Sequence, residues 1–199
     1  EIIFWDNLST NKSADIAKSY DNRLKYYCGE NMLQLGAARN KALELCNGDY
    51  IAFLDVDDLW MSEKLEEQVP LFKDGEVGIV FSDAINFNSK GKESRLYKSK
   101  TPYIGKAFRK LLISNFLNIQ TVIIRKAALP QSYWFDERFN MIEEADLFTR
   151  ISYNWKLDFI NKPLAKWRVH QSSWTWKRKD LFPKETRLLI KKLKKDIPE

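Results

Sequence analysis

The chain has 199 residues, a length that suits a single domain. Its 44% content of hydrophobic residues, with only 7 Gly and 6 Pro, excludes a disordered or collagen-like protein. The apolar runs are far shorter than the roughly 20 residues that cross a bilayer. The excess of 33 Lys and Arg over 27 Asp and Glu gives a formal net charge of +6, which favours anionic partners.

The cysteines and the first residues both indicate a cytoplasmic location. Cys28 and Cys46 form neither a C-x-x-C pair nor a disulfide framework, as is typical of a reducing compartment. The opening residues, EIIFWD, lack the basic and apolar regions of a secretory signal. We therefore expect a cytoplasmic protein without a signal peptide.

Short apolar runs and helical patterns alternate through the first half of the chain, as in βαβ units around a parallel sheet. Strands are predicted at residues 2–5, 24–28, 50–54, 78–82, 121–124 and 157–160, and helices at 13–20, 34–45, 62–72, 104–113 and 142–153. Ser13 and Ser62 are candidate caps of the first and third helices. The polar stretch 83–98 predicts a hairpin or an excursion from the sheet.

An acidic cluster follows the strand 50–54, whose continuous apolar run is typical of a central strand covered on both faces. Ligands of open α/β sheets lie beyond the carboxyl ends of strands, where Asp55, Asp57 and Asp58 fall. In an extended segment Asp55 and Asp57 point to the same side and could bind Mg²⁺ or Mn²⁺ together with substrate phosphates. The acids could equally cap the next helix and form a solvated turn. The spacing alone does not separate these interpretations.

A second acidic group, Glu143, Glu144 and Asp146, opens the helix predicted at 142–153. Acidic side chains in a first helical turn are stabilised by the helix dipole, which is a sufficient structural explanation. A carboxylate facing a cleft could also accept a proton from an acceptor hydroxyl. Glu144 is therefore a candidate general base.

Five segments, taken in order, resemble motifs of the family 2 glycosyltransferases of the GT-A fold, which transfer a sugar from a nucleotide-diphosphate sugar with inversion. The segments are WDNLST at 5–10, GAARNKA at 36–42, GDYIAFLDVDDLW at 48–60, FDE at 135–137 followed by IEEADLFTR at 142–150, and WRVHQSS at 167–173. The third is similar to G-[DE]-Y-I-x-F-L-D-x-D-D-x-W almost residue for residue. The likeness extends over about residues 1–174.

The resemblance implies an α/β fold with a Rossmann-like mixed sheet flanked by helices over residues 1–174, followed by a basic helical tail at 175–199. The family's first βα unit, which precedes the D-[DN]-x-S-T element, has no counterpart in this sequence. We therefore expect an N-terminally truncated GT-A domain with weaker nucleotide affinity and a lower melting temperature than a domain that carries this unit.

The resemblance also implies roles for individual residues. Asp6 would contact the nucleotide base, and Arg39 would lie beside the base or the phosphates. Asp57 would bind the metal, while Asp55 would contact either the ribose hydroxyl or the metal. Glu144 would be the catalytic base, at a position where the family usually has Asp. Transfer would then be a single displacement assisted by Mg²⁺ or Mn²⁺.

Three further residues are candidates on the metal and acceptor sides of the site. His170, the one histidine of the sequence, is either a third metal ligand or phosphate contact, or a partly exposed loop residue. Trp174 could stack on an acceptor sugar, although most tryptophans fill or cover cores. Glu143 is the other acceptor-side candidate.

The tail places Leu188, Leu189, Ile190 and Leu193 among lysines. This pattern predicts either a basic amphipathic helix on anionic lipid at the inner face of the cell membrane, or a solvated terminal helix.

The expected function is that of a hexosyltransferase in bacterial-type surface polysaccharide synthesis, with a UDP-type sugar donor and a glycan or lipid-linked acceptor. The alternative is a non-catalytic family member that binds a nucleotide or a partner protein. Nucleic acid is not an expected partner, because the sequence has no helix-turn-helix, zinc-finger or RNA-reading motif.

Overall fold

The computed structural model describes residues 1–98, 101–131, 133–170 and 177–196. The described strands are β1 (Ile2–Asp6), β2 (Leu24–Cys28), β3 (Tyr50–Ala52), β4 (Leu59–Trp60), β5 (Val77–Phe87), β6 (Glu93–Arg95), β7 (Ile123–Arg125) and β8 (Lys156–Arg168). The described α-helices are α1 (Ser13–Lys18), α2 (Leu35–Glu44), α3 (Lys64–Gln68), α4 (Phe108–Ile113), α5 (Glu143–Asn154) and α6 (Leu181–Asp196). Short 3₁₀ turns form at Val69–Lys73, Ile119–Thr121 and Lys126–Ala128.

The strands form two sheets. β1 and β2 pair in parallel, and a six-stranded mixed sheet has the order β3-β7-β5-β8-β4, with β6 paired to β5. β7 is antiparallel to both β3 and β5, so β3 and β5 run in the same direction, and β8 is parallel to β5. The loop after β3 and the last residues of β8 therefore lie at the same end of the sheet, where both strands have their carboxyl ends. The predicted mixed α/β fold flanked by helices is confirmed.

β5 is covered on both faces. Ile79 and Phe81 pack in a large core that includes Leu147 of α5, whereas Val80 packs in a second core on the other face. Its Gly78 lies against α5: a Cβ atom there would come within 2.5 Å of the Cβ of Trp155. Alternate side chains at positions 79–81 of β5 thus enter opposite cores, which accounts for the run of apolar residues there.

The prediction of a central strand at 50–54 is wrong about its place in the sheet, although Ile51 packs in the large core and Ala52 packs against the second core. β3 ends at Ala52 and pairs only with β7 among the described strands, so it lies at the edge of the larger sheet. The backbone then turns, and the N–H of Asp58 donates to the carbonyl of Asp55 at 3.0 Å. The acidic segment is a turn, so the argument that an extended backbone aligns Asp55 with Asp57 does not hold.

Other elements follow the predictions with shifted ends. The stretch 83–98 contains the expected hairpin, in which the outer half of β5 pairs with β6. The helix predicted at 62–72 is α3 followed by a 3₁₀ turn, because Pro70 has no N–H to continue the α-helical ladder. Neither Ser13 nor Ser62 caps a helix: the N–H of Ser13 instead donates to the side chain of Asn11 at 2.9 Å.

α6 packs against the segment that leads into α5. The carboxylate of Glu185 accepts hydrogen bonds from the N–H groups of Asn140 at 3.0 Å and Met141 at 2.9 Å. Lys192 is buried between the carboxylates of Asp136, at 3.0 Å, and Asp146. The inner face of α6 therefore carries charged groups that are paired with the rest of the domain. Within the described ranges, no helix is both long enough and apolar enough to cross a bilayer.

Candidate active site

The end of β8 holds the acidic loop in place. The backbone N–H of Arg168 donates to the Asp58 carboxylate at 2.7 Å, and its guanidinium donates to the carbonyl of Asp57 at 2.8 Å. Burial raises the pKa of Asp58 to about 6. On the same strand end, the Nε2 atom of His170 lies 2.9 Å from a carboxylate oxygen of Asp57. These contacts bring an imidazole and a carboxylate together at the carboxyl ends of β3 and β8.

A cluster of three carboxylates surrounds Arg39 of α2. The guanidinium donates to Asp55 at 3.0 Å, to Glu143 at 2.9 Å and to Glu144 at 3.5 Å. Arg39 and Glu143 are buried, and a buried charge is tolerated only when it is paired. The arginine therefore joins α2, the acidic loop and the start of α5.

Burial perturbs both glutamates of this cluster. It raises the pKa of Glu143, whose Oε2 atom accepts no hydrogen bond from any described residue. Burial and then the negative charge of Glu143 raise the pKa of Glu144 to about 8, against the opposing effect of Arg39. The side chain of Glu144 is still 27% exposed, so a ligand can reach it. A carboxylate with these properties suits a general base near neutral pH.

Gln120 belongs to the site and was missed by the sequence analysis. It is buried in the 3₁₀ turn Ile119–Thr121, and its side-chain amide donates to Asp55 at 2.7 Å. The backbone carbonyl of Gln120 accepts a hydrogen bond from the Trp60 indole N–H at 3.0 Å. No local motif marks this glutamine, because its role depends on a partner 65 residues away. Asp55 is thus held on one side by Arg39 and on the other by Gln120.

Asp6 lies at the end of β1 and is almost completely buried. Its carboxylate accepts from the N–H of Ser9 and from the Tyr26 hydroxyl, each at 2.7 Å, and these hydrogen bonds lower its pKa. The next residue but one, Leu8, has a φ of 64°, a conformation that costs a non-glycine residue energy. Asp6 therefore orders the turn after β1, and the contact with a nucleotide base stays a prediction.

The predicted site residues fall into two groups and two outliers. Arg39, Asp55, Glu143 and Glu144 lie together, and Asp57 lies with His170. In the part of the chain that the structure describes, no three His, Cys, Asp or Glu side chains form a group that could hold a metal ion. The metal role of Asp55 therefore stays a prediction. Asp6 is separate, and Trp174 lies outside the described residues.

Relatives with curated names include glycosyltransferases of polysaccharide biosynthesis. One of them is the UDP-Glc:alpha-D-GlcNAc-diphosphoundecaprenol beta-1,3-glucosyltransferase WfgD of Escherichia coli, which is 28% identical over 171 residues, covering 84% of this chain and 64% of the relative. The chain spans about 60% of the length of the first curated relatives that it matches over most of its own length.

Solved structures of glycosyltransferases have the same fold. Staphylococcus aureus TarS, in complex with UDP-GlcNAc, matches with a TM-score of 0.77 at 21% identity, over all of this chain and 59% of that chain. The mannosyltransferase PcManGT of Pyrobaculum calidifontis, in complex with GDP-Man and Mn²⁺, matches with a TM-score of 0.63 at 15% identity, over 87% and 49% of the two chains. The family model described as Glycosyl transferase family 2 matches residues 1–132. The chain belongs to glycosyl transferase family 2.

Proposed function

We propose that the protein transfers a hexose, with inversion, from a UDP-type sugar donor to a hydroxyl of a glycan or lipid-linked acceptor in surface polysaccharide synthesis. The observation that carries the proposal is the ion cluster in which Arg39 joins Glu144 to Asp55, two residues before the Asp57–His170 pair in the acidic loop. The names of the relatives support a sugar donor and an acceptor of this kind, including one acceptor linked to a lipid through a diphosphate.

Glu144 is the proposed catalytic base. In a single displacement, the acceptor hydroxyl loses its proton as it attacks the anomeric carbon, and the nucleoside diphosphate leaves from the opposite face. Glu144 is partly exposed and would take that proton. Arg39 holds its side chain through an ion pair, and Glu143 in turn fixes the Arg39 guanidinium, so the part of both residues is positioning.

Asp57 and His170 are the proposed ligands of Mg²⁺ or Mn²⁺. Their donor atoms, a carboxylate oxygen and an imidazole nitrogen, fit such an ion, and both side chains are partly exposed. Asp55 would join them only by giving up a contact with Arg39 or Gln120. The bound ion would supply positive charge for the leaving diphosphate.

The alternative is a family member that binds a nucleotide without transferring sugar. The closed contacts of Arg39 favour it, because that guanidinium is already shared among three carboxylates. Metal-dependent release of sugar from the donor separates the two proposals, since a binding protein releases none.

The first experiment is thermal stabilisation by nucleoside diphosphates and nucleotide sugars, each with and without Mn²⁺. We expect one nucleotide class to raise the melting temperature in a metal-dependent manner, because a ligand at 100 times its Kd adds about 2.7 kcal/mol. Asp57→Ala should remove the shift. Asp15→Ala, at an exposed position of α1, is the matched control and should retain it.

No shift with any nucleotide would contradict the proposed donor site. A shift that persists in Asp57→Ala would contradict the assignment of the metal site alone. Transfer is then tested with the nucleotide sugar that binds, by following release of the nucleoside diphosphate.

A further inference from the structure

Residues 103–113 form an exposed apolar surface, called here the 103–113 surface. Its large apolar side chains are Ile113, which is 82% exposed, Ile104 at 58%, Tyr103 at 53% and Leu112 at 46%. Single exposed apolar residues are ordinary on a protein surface, but a contiguous group marks an interaction site. Four such side chains fall here within eleven residues.

The same surface is basic. Lys106, Arg109 and Lys110 are exposed, and residues 101–113 contain no Asp or Glu. The Lys110 ammonium lies 4.6 Å from the centre of the Tyr103 ring, so charge and apolar area are adjacent. Apolar side chains bordered by cations are typical of segments that lie on anionic lipid.

The surface is fixed to the fold from beneath. Ala107 and Leu111 are buried in the core on the inner side of the segment. Gly105 exchanges two backbone hydrogen bonds with Leu157 of β8, at 2.7 and 2.9 Å. The exposed side chains are therefore presented by an anchored segment, which keeps the four of them outside the core.

We propose that the 103–113 surface is the membrane-contacting face of the protein, with Leu112 and Ile113 inserted among the lipid tails and the cations at anionic headgroups. Its charge complements an anionic bilayer. This inference goes beyond the proposed transfer activity and does not depend on it.

The tail helix α6 is the competing membrane contact, and its structure disfavours insertion. Leu193 is buried, Leu188 and Leu189 are half-buried, and Ile190 is the one large apolar side chain described in α6 that is exposed. Cations on the outer face of α6 could add attraction to anionic lipid, but the helix offers little apolar area to a bilayer.

The test is flotation of the 199-residue chain with vesicles of phosphatidylglycerol and phosphatidylcholine, against vesicles of phosphatidylcholine alone. We expect the wild type to float with the anionic vesicles. Leu112→Glu combined with Ile113→Glu should lower the bound fraction at least tenfold, and Arg109→Ala combined with Lys110→Ala should lower it and weaken its dependence on salt. Ile190→Glu on α6 is the matched control and should bind like the wild type.

Three results would overturn the inference. The first is no flotation of the wild type, and the second is loss of flotation in Ile190→Glu but not in Leu112→Glu with Ile113→Glu. The third is a dimer in gel filtration that Leu112→Glu with Ile113→Glu abolishes. The last would identify a second copy of the chain as the occupant. Ile113→Asn alone is a second variant that changes one exposed side chain. Its melting temperature should match the wild type, while its flotation with anionic vesicles should be reduced.

Discussion

The two groups of the candidate site differ in how completely the fold already satisfies their charges. Arg39 is buried among Asp55, Glu143 and Glu144, and α2, the acidic loop and α5 all contribute to that cluster. Asp57 and His170, in contrast, are 43% and 34% exposed. A buried ion cluster resists disruption because each partner left behind would be an uncompensated charge. A partly exposed pair can exchange its contact for a ligand at small cost.

This difference teaches that the two groups do different work. In the proposed function, the Arg39 cluster would hold Glu144 in position, and the Asp57–His170 pair would be the part that is open to an incoming cation. Four changes test this division, and they are described from the largest expected effect to the smallest.

Arg39→Ala should lower the free energy of unfolding by about 3–5 kcal/mol, because it leaves the buried Glu143 carboxylate without its cation. Chemical denaturation measures this change. Arg23→Ala is the control, since Arg23 is an exposed partner of Asp21, and its cost should be far smaller than that of Arg39→Ala. Equal costs for the two variants would contradict the scaffold role of the Arg39 cluster.

Glu144→Gln should lower kcat by about 10²–10⁴-fold, because an amide cannot accept the acceptor proton. The nucleotide-induced shift in melting temperature should persist, since the variant retains the shape of the side chain and the Asp57–His170 pair. Steady-state kinetics and thermal shift together make the measurement. A variant with near-normal kcat would remove Glu144 from the mechanism.

His170→Ala should weaken Mn²⁺ binding by about tenfold or more, with a change in unfolding free energy within about 0.5 kcal/mol because the side chain is partly exposed. Titration of Mn²⁺, followed by the nucleotide-dependent thermal shift, measures the affinity. Asp15→Ala serves again as the control. An unchanged midpoint for Mn²⁺ would exclude His170 as a ligand.

The pH dependence follows from the raised pKa of Glu144, about 8 in the ligand-free protein. A base must be unprotonated, and kcat/KM reports the free enzyme, so kcat/KM should rise by about tenfold per pH unit below pH 8 and level off above it. Between the unfolded pKa and pH 8, Glu144 is protonated in the folded state and ionised in the unfolded chain. The resulting stabilisation is therefore complete below the unfolded pKa of about 4.3 and is lost as the pH rises through 8.

Profiles of kcat/KM and of unfolding free energy against pH measure both effects. In Glu144→Gln, the decline in stability between pH 5 and 9 should be shallower than in the wild type. A wild-type kcat/KM that is constant from pH 6 to 9 would show that the base titrates elsewhere.

Sequence patterns predict those parts of the fold and site that depend on local periodicity. The helices and strands of the first half, the hairpin in 83–98 and the acidic loop at the sheet edge all follow from residues close in sequence. The edge position of β3 does not follow from the sequence, because a continuous apolar run does not show how many neighbouring strands a strand has. β5 has a similar run and is covered on both faces.

Long-range polar contacts account for the other features of the structure that the sequence patterns did not predict. Gln120 lies on no motif, and its contact with Asp55 exists only after β7 has paired with both β3 and β5. Likewise, the sequence pattern predicts that Lys192 is exposed with the other lysines of the tail, yet it is buried against Asp136 and Asp146. A charged residue on the inner face of a helix contradicts the apolar pattern from which burial is predicted.

The packing of α6 bears on the order in which the protein is completed during synthesis. A nascent chain emerges from its amino-terminal end and folds as it appears. The segment before α5 receives the cation of Lys192 and the carboxylate of Glu185 only after α6 has been translated. The acidic loop and β8, in contrast, hold each other as soon as Arg168 is available. The contacts between the acidic loop and β8 can therefore form in a ribosome-bound chain that stops before α6, whereas the segment before α5 still lacks its partners from α6.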